Sequence, residues 1–101
     1  MDDVSERDFG SVRLSGKLIC ASEQEVEIVN SCLPEHIRLT RSEPGCISFD
    51  VRQTDDPMIW EVEERFLDRK SFEHHQLRTR ASEWWTATAG IAREYEISSP
   101  E

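Results

Sequence analysis

From residue 12 to 20 apolar and polar positions alternate, placing Val12, Leu14, Leu18 and Cys20 on one side of a pleat, and this predicts a first strand. The period then lengthens. Val26, Val29, Leu33, Ile37 and Thr40 recur at spacings of three and four, the single buried stripe of a helix. Ser22 followed three residues later by Glu25 is a capping box that marks its start. Pro34 falls inside the stripe, where the lost N–H and the clash with the preceding turn predict a kink, or a restart near Leu33 with Pro34 in the first turn of a second piece. Glu43-Pro44-Gly45 ends the helix.

Residues 46–54 and 58–66 return to a period of two and are rich in β-branched and aromatic side chains, so they read as strands joined by a hairpin at Asp55-Asp56-Pro57. Leu67-Asp68 breaks the alternation. Phe72, His75, Gln76 and Thr79 then repeat with helical spacing, Arg80-Ala81-Ser82 opens a short further helical piece through Trp84 and Trp85, and Gly90 closes it. Residues 91–98 alternate once more, with Ile91, Arg93, Tyr95 and Ile97 on one face.

The resulting string, β-α-β-β-α-β, is that of a ferredoxin-like α+β domain, a four-stranded antiparallel sheet with its helices on one face. Residues 1–10 read as a flexible arm, 11–98 as the domain and 99–101 as a tail. The other sheet face is left bare. With Ile47, Phe49, Val51 or Ile59 expected there, a second copy meeting it across a two-fold axis would cover the apolar surface, which predicts a homodimer with a dimeric α/β-barrel-like assembly.

The length of 101 residues allows one core and leaves much surface in need of a partner. Twelve basic against twenty-one acidic residues give a formal charge of −9, which repels phosphate backbones and anionic headgroups, so neither nucleic acid nor a membrane is expected as a partner. No run is long enough to span a bilayer. Cys20, Cys32 and Cys46 are odd in number and lack a Cys-x-x-Cys spacing, which argues against a disulfide framework or a zinc site and for a cytoplasmic location. The acidic first ten residues lack the basic start and apolar run of a secretory signal.

Four pieces in this order carry a resemblance: Thr40-Arg41-Ser42-Glu43-Pro44-Gly45-Cys46 after the first helix, Asp55-Asp56-Pro57 in the hairpin, Glu64-x-Phe66 closing the third strand, and Asp68 followed by Phe72 and His75. Over roughly residues 12–97 the chain resembles the antibiotic-biosynthesis monooxygenase family of small dimeric proteins, particularly its quinol monooxygenase branch. That resemblance implies an oxygenase with no metal, flavin or other cofactor, acting with dioxygen on a small hydrophobic or aromatic substrate of phenolic, hydroquinone or polyketide-like type held between sheet and helices. Relatives sharing the fold degrade haem, isomerise signalling molecules or only bind ligands. Haem degradation would call for an asparagine on the first strand, whose inner row offers Leu14, Gly16, Leu18 and Cys20, and the only asparagine in the chain is Asn30.

His75 shares its helical spacing with Phe72 and Thr79 and should face the sheet. The resemblance implies that it lines the pocket, where it could take a proton and leave a phenolate or enolate electron-rich enough to reduce dioxygen directly. It could equally be bonded to a carboxylate or backbone group for packing alone. Trp60, Val62, Glu64 and Phe66 share one face of the third strand, so Trp60 and Phe66 would form the apolar floor of an aromatic pocket, with Phe72, His36 and Arg78 as further substrate contacts. A carboxylate on such a row must be paired, with Arg78 or His75 as candidates, or take part in proton transfer with a raised pKa. His36 could reach the cavity from the opposite wall or close a helix–helix contact. A metal site from His36, Glu64 and His75 has no supporting ligand spacing. Cys46 could be a reactive thiol or a small buried residue.

The leading expectation is thus a cofactor-independent monooxygenase with His75 and Glu64 as catalytic residues. Its rivals are a dimeric module that binds a small ligand without catalysis, and an isomerase or detoxifying enzyme. Pairing of Glu64 and His75 with Arg78 away from any cavity would favour the binding module.

Overall fold

The computed structural model describes residues 10–99; the flexible arm expected at 1–10 and the tail at 99–101 therefore lie almost wholly outside the described residues. Chain order is β1 (Val12–Ile19), α1 (Glu23–Arg41), β2 (Cys46–Gln53), β3 (Ile59–Phe66), α2 (Arg69–Arg80), α3 (Glu83–Thr88) and β4 (Ala92–Ser98). The strands form one antiparallel sheet in the order β2-β3-β1-β4 with the helices on one face, a ferredoxin-like α+β fold.

Each helix begins on a side chain that accepts an otherwise unpaired N–H. Ser22 Oγ accepts from Glu25 N at 3.2 Å, Asp68 Oδ1 from Ser71 N at 2.8 Å, and Ser82 Oγ from Trp85 N at 3.3 Å. The Glu25 carboxylate reaches one residue further back than a capping box requires, accepting from Ala21 N at 2.7 Å. Helix α1 runs unbroken from Glu23 to Arg41, so the restart expected near Leu33 does not occur. Pro34 lies on the exposed side, where the carbonyl it leaves unbonded, that of exposed Asn30, can turn to water; Val29, Leu33, His36 and Thr40 keep the buried stripe intact across it.

Register corrects a second expectation. Phe49 stands opposite Glu64 and Val51 opposite Val62, so both project to the helix side, not the open face. A bulge between Cys46 and Ser48 shifts the alternation, which is why counting along β2 from its start misplaces the pair and leaves Ile47 about half exposed. The open face is polar. Across it runs a row of alternating sign, Arg52, Glu61, Lys17 and Glu94, each directly opposite the next, with Arg52 and Glu61 in contact at 3.7 Å. Ile59, opposite Ile19, is a small apolar exception at one end.

The core between sheet and helices is built from Val12, Leu14 and Leu18 of β1, Trp60, Val62 and Phe66 of β3, and Val29, Leu33, Phe72 and Trp84 of the helices. Two glycines allow backbones to approach closely enough to shape the interior. A Cβ on Gly45 would lie 2.1 Å from Ser71 Oγ, so its absence lets the turn after α1 press against the start of α2. A Cβ on Gly16 would lie 2.0 Å from the Glu94 carbonyl and 2.8 Å from Tyr95 Cα, contacts that only a shift of β4 could relieve. Gly16→Ala should therefore cost about 2 kcal/mol or more, the scale of overpacking a filled interior. Urea titration of the variant beside the parent measures this, and an unchanged midpoint would contradict the β1–β4 register.

Candidate active site

His75 reaches the interior because α2 places it one turn after Phe72 and one turn before Thr79, all three buried against the sheet. Its imidazole lies 4.7 Å from the Phe66 ring and 6.0 Å from that of Phe49, measured between centroids. The two nitrogens face different surroundings. Nδ1 stands 3.1 and 3.3 Å from the two carboxylate oxygens of Glu43, and Nε2 stands 3.3 Å from Thr79 Oγ1 and 3.8 Å from Glu64 Oε1. A carboxylate can only accept, so Nδ1 is assigned as the donor and Nε2 as the acceptor, with the Thr79 hydroxyl beside it able to donate.

Glu43 is anchored from its other side. Arg78 Nε donates to Glu43 Oε2, and Arg78 Nη2 donates to Thr40 Oγ1 at 3.0 Å. Arg78 is thus the partner of Glu43, and of the two partners expected for Glu64, Arg78 or His75, it is His75 that stands near it. The reason is geometric: Arg78 is on the side of α2 nearest the end of α1, and Glu64 comes from the middle of the sheet.

Among the described residues no arginine or lysine forms an ion pair with Glu64. Burial foremost, and the neighbouring Glu43 charge second, push its carboxyl up to about 8. Burial pulls His75 below its ordinary value, with the Glu43 carboxylate acting in the opposite sense and Arg78 reinforcing the drop. His36 is lowered to about 3 by burial, then by His75, Arg78 and Arg93. Near neutral pH the site therefore holds two neutral imidazoles and a protonated carboxyl.

These groups meet at a cavity of about 210 Å³ between the sheet and the helices. His36, Glu64, His75 and Thr79 are among its polar lining, as are Arg80 and Arg93, with Leu14, Leu18 and Val62 from the sheet and Phe49 and Trp84 among the apolar and aromatic side chains. His36 is stacked on Trp84 at 4.7 Å with the rings 3° from parallel, and its edge geometry with Phe49 places the three rings as a packed aromatic wall. Trp60, Phe66, Phe72 and Arg78 lie outside the lining. Phe66 and Phe72 pack on each other at 5.7 Å, with Phe66 supporting His75 from behind, and Trp60 is part of the core beside Leu18. Cys46 is no activated thiol, since burial and the charges of Glu43 and Glu64 push its pKa up. No group of three or more His, Cys, Asp or Glu among the described residues is placed to hold a metal ion.

Glu43 is the site residue that pattern reading passed over, because Glu-Pro-Gly reads as a turn. One signal was present: an acidic residue just beyond a helix C-terminus sits against the negative end of the helix dipole and should be compensated from elsewhere.

Residues 17–87 match the family model described as antibiotic biosynthesis monooxygenase. No curated protein matches the chain. Among solved structures, a Nitrosomonas europaea protein provisionally named as an antibiotic biosynthesis monooxygenase is 20% identical, with a TM-score of 0.74 and 91% of this chain and 90% of that one covered. A conserved protein from Methanosarcina mazei Go1 is 22% identical, with a TM-score of 0.72 and coverage of 96% and 99%. Rv0793 from Mycobacterium tuberculosis is 19% identical, with a TM-score of 0.70 and coverage of 90% and 95%. At these identities the structures speak for the fold alone, and it is the family model, spanning well over half of the sequence, that places the chain in the antibiotic biosynthesis monooxygenase family.

Proposed function

We propose that this protein is a monooxygenase that acts without a bound cofactor on a small phenolic, quinol or polyketide-like molecule. The observation that carries the reading is the presence of His75 and Glu64 on one cavity wall, Nε2 and carboxyl oxygen 3.8 Å apart, among aromatic and aliphatic side chains. His75 Nε2 takes the proton of a substrate hydroxyl. The resulting anion passes an electron to dioxygen, the two radicals join as a peroxide on the ring carbon, and Glu64 gives its proton to the outer peroxide oxygen. The proton on that ring carbon then passes to the Glu64 carboxylate, the C–H electrons form the product carbonyl as the O–O bond breaks, and the leaving hydroxide takes the proton held by His75 and departs as water, so the electrons come from the substrate itself.

Family membership supports oxygenation, and the pairing seen here supports catalysis over simple binding. A binding module is the better reading if Glu64 and His75 are tied to Arg78 away from any cavity, and both line one instead. A cytoplasmic homodimer completes the proposal. Three free cysteines fit a reducing compartment, and the dimer contact draws on the family and on charge complementarity of the open face in place of the apolar surface first expected.

Purified protein should consume dioxygen with a panel of quinols and polyphenols faster than buffer does, and His75→Ala should lose at least about 100-fold of that excess. Full activity in the variant would remove His75 from the mechanism. The pH profile should fall on the alkaline side near 8 as Glu64 ionises, and on the acid side below 6.5 as His75 takes up a proton. Stability supplies an independent reading. Because Glu64 binds its proton more tightly folded than unfolded, its contribution is fully present below the unfolded value near 4.5 and is lost as pH rises towards 8. Glu64→Gln should thus gain on the parent across that window, by at most about 1.4 kcal/mol per pH unit in denaturant titrations. Parallel curves would mean that Glu64 titrates normally.

A further inference from the structure

Nδ1 and Nε2 of an imidazole compete for one proton, and the environment decides which of them presents a lone pair. In this site the two choices have opposite consequences. A proton on Nε2 would point at the cavity and leave Nδ1 facing the Glu43 carboxylate lone pair to lone pair across 3.1 Å; a proton on Nδ1 makes that contact a charge-assisted hydrogen bond.

We propose that Glu43, clamped by Arg78, which Thr40 holds in turn, is the positioning residue of the site: it holds the His75 proton on Nδ1 and thereby turns an unprotonated Nε2, beside the Thr79 hydroxyl, to the cavity. The proposal rests on the reading of His75 as the base and adds a residue that never touches substrate. Glu43 orients the ring from the turn after α1, Arg78 fixes the carboxylate from the next turn of α2, and buried Thr40 fixes the guanidinium. The assembly also sets charge. A lone carboxylate at this distance would pull His75 towards imidazolium and so occupy Nε2, whereas Arg78 beside it cancels most of that field while leaving the hydrogen bond in place.

The ionisable groups around His75 come from every neighbouring element: Glu43 from the turn, His36 from α1, Glu64 from β3, and Arg78 and His74 from α2 itself. Glu43 and Arg78 act on it in opposite senses, and this separates positioning from general structural support. Removing Glu43 should lower the His75 titration midpoint, and removing Arg78 should raise it, each by about one pH unit.

The test is nitrogen NMR of the intact protein labelled in histidine, which reports tautomer and midpoint with no substrate present. In the parent, His75 should be the Nδ1–H form with an unprotonated Nε2 near neutral pH. Glu43→Gln, whose amide can turn either its oxygen or its NH₂ to the ring, should mix the tautomers and move the midpoint down, and Arg78→Met should move it up. Oxygen uptake measured beside this should show kcat falling at least about 10-fold in Glu43→Gln with KM little changed. A parent spectrum showing Nε2–H, or both midpoints moving in the same direction, overturns the proposal, and the parent spectrum decides even if a variant fails to fold. Absence of oxygen uptake in every protein, with the tautomer and the opposite shifts as expected, would instead overturn the oxygenase reading and leave the role of Glu43 standing.

Discussion

A carboxylate buried between a helix end and a sheet persists only if its charge is answered, and Arg78 answers it for Glu43. The remaining polar geometry follows from that pair. With the Glu43 charge answered, His75 can hydrogen-bond to it without becoming a cation, and burial, with the Glu43 charge second, drives the other carboxyl, Glu64, to its neutral form. The interior thus sets an ion pair at its edge beside neutral His36, Glu64 and His75 in the cavity, whose lining also includes Arg80 and Arg93.

Local backbone choices deliver these residues. Gly45 lets the turn carrying Glu43 close on the first turn of α2, and the Asp68 cap starts that helix where His75 faces inward. Arg41, in the last turn of α1, donates twice to the Phe49 carbonyl, at 2.8 and 3.1 Å, tying the same helix end to the strand whose Phe49 ring lies against both histidines. Three elements distant in sequence are therefore fastened within one turn of each other.

Much of this was legible in the residues. Alternation at 12–20 and 58–66, the cap at Ser22, the opening of a short helix at residues 80–82, and the spacing of Phe72, His75 and Thr79 are local signals, and each corresponds to an element of the fold. What was not legible depended on registration between segments. The side to which Phe49 points is decided by a one-residue bulge, and the choice of Glu43 over Glu64 by Arg78 is decided by where α2 crosses the end of α1. Neither leaves a periodic trace. Pro34 shows the converse, a strong local signal overruled because an exposed proline inside a long, well-packed helix costs one bond that water can replace.

The row formed by Arg52, Glu61, Lys17 and Glu94 changes sign at every strand, so any surface apposed to it is read like a comb. A partner surface of the opposite sequence of signs docks in one alignment, and sliding it by a single strand spacing sets like charges against like along the whole row. An apolar face would have tolerated such a slide. The open side of this sheet is therefore suited to selecting alignment more than to supplying adhesion, and its discrimination weakens as salt screens it.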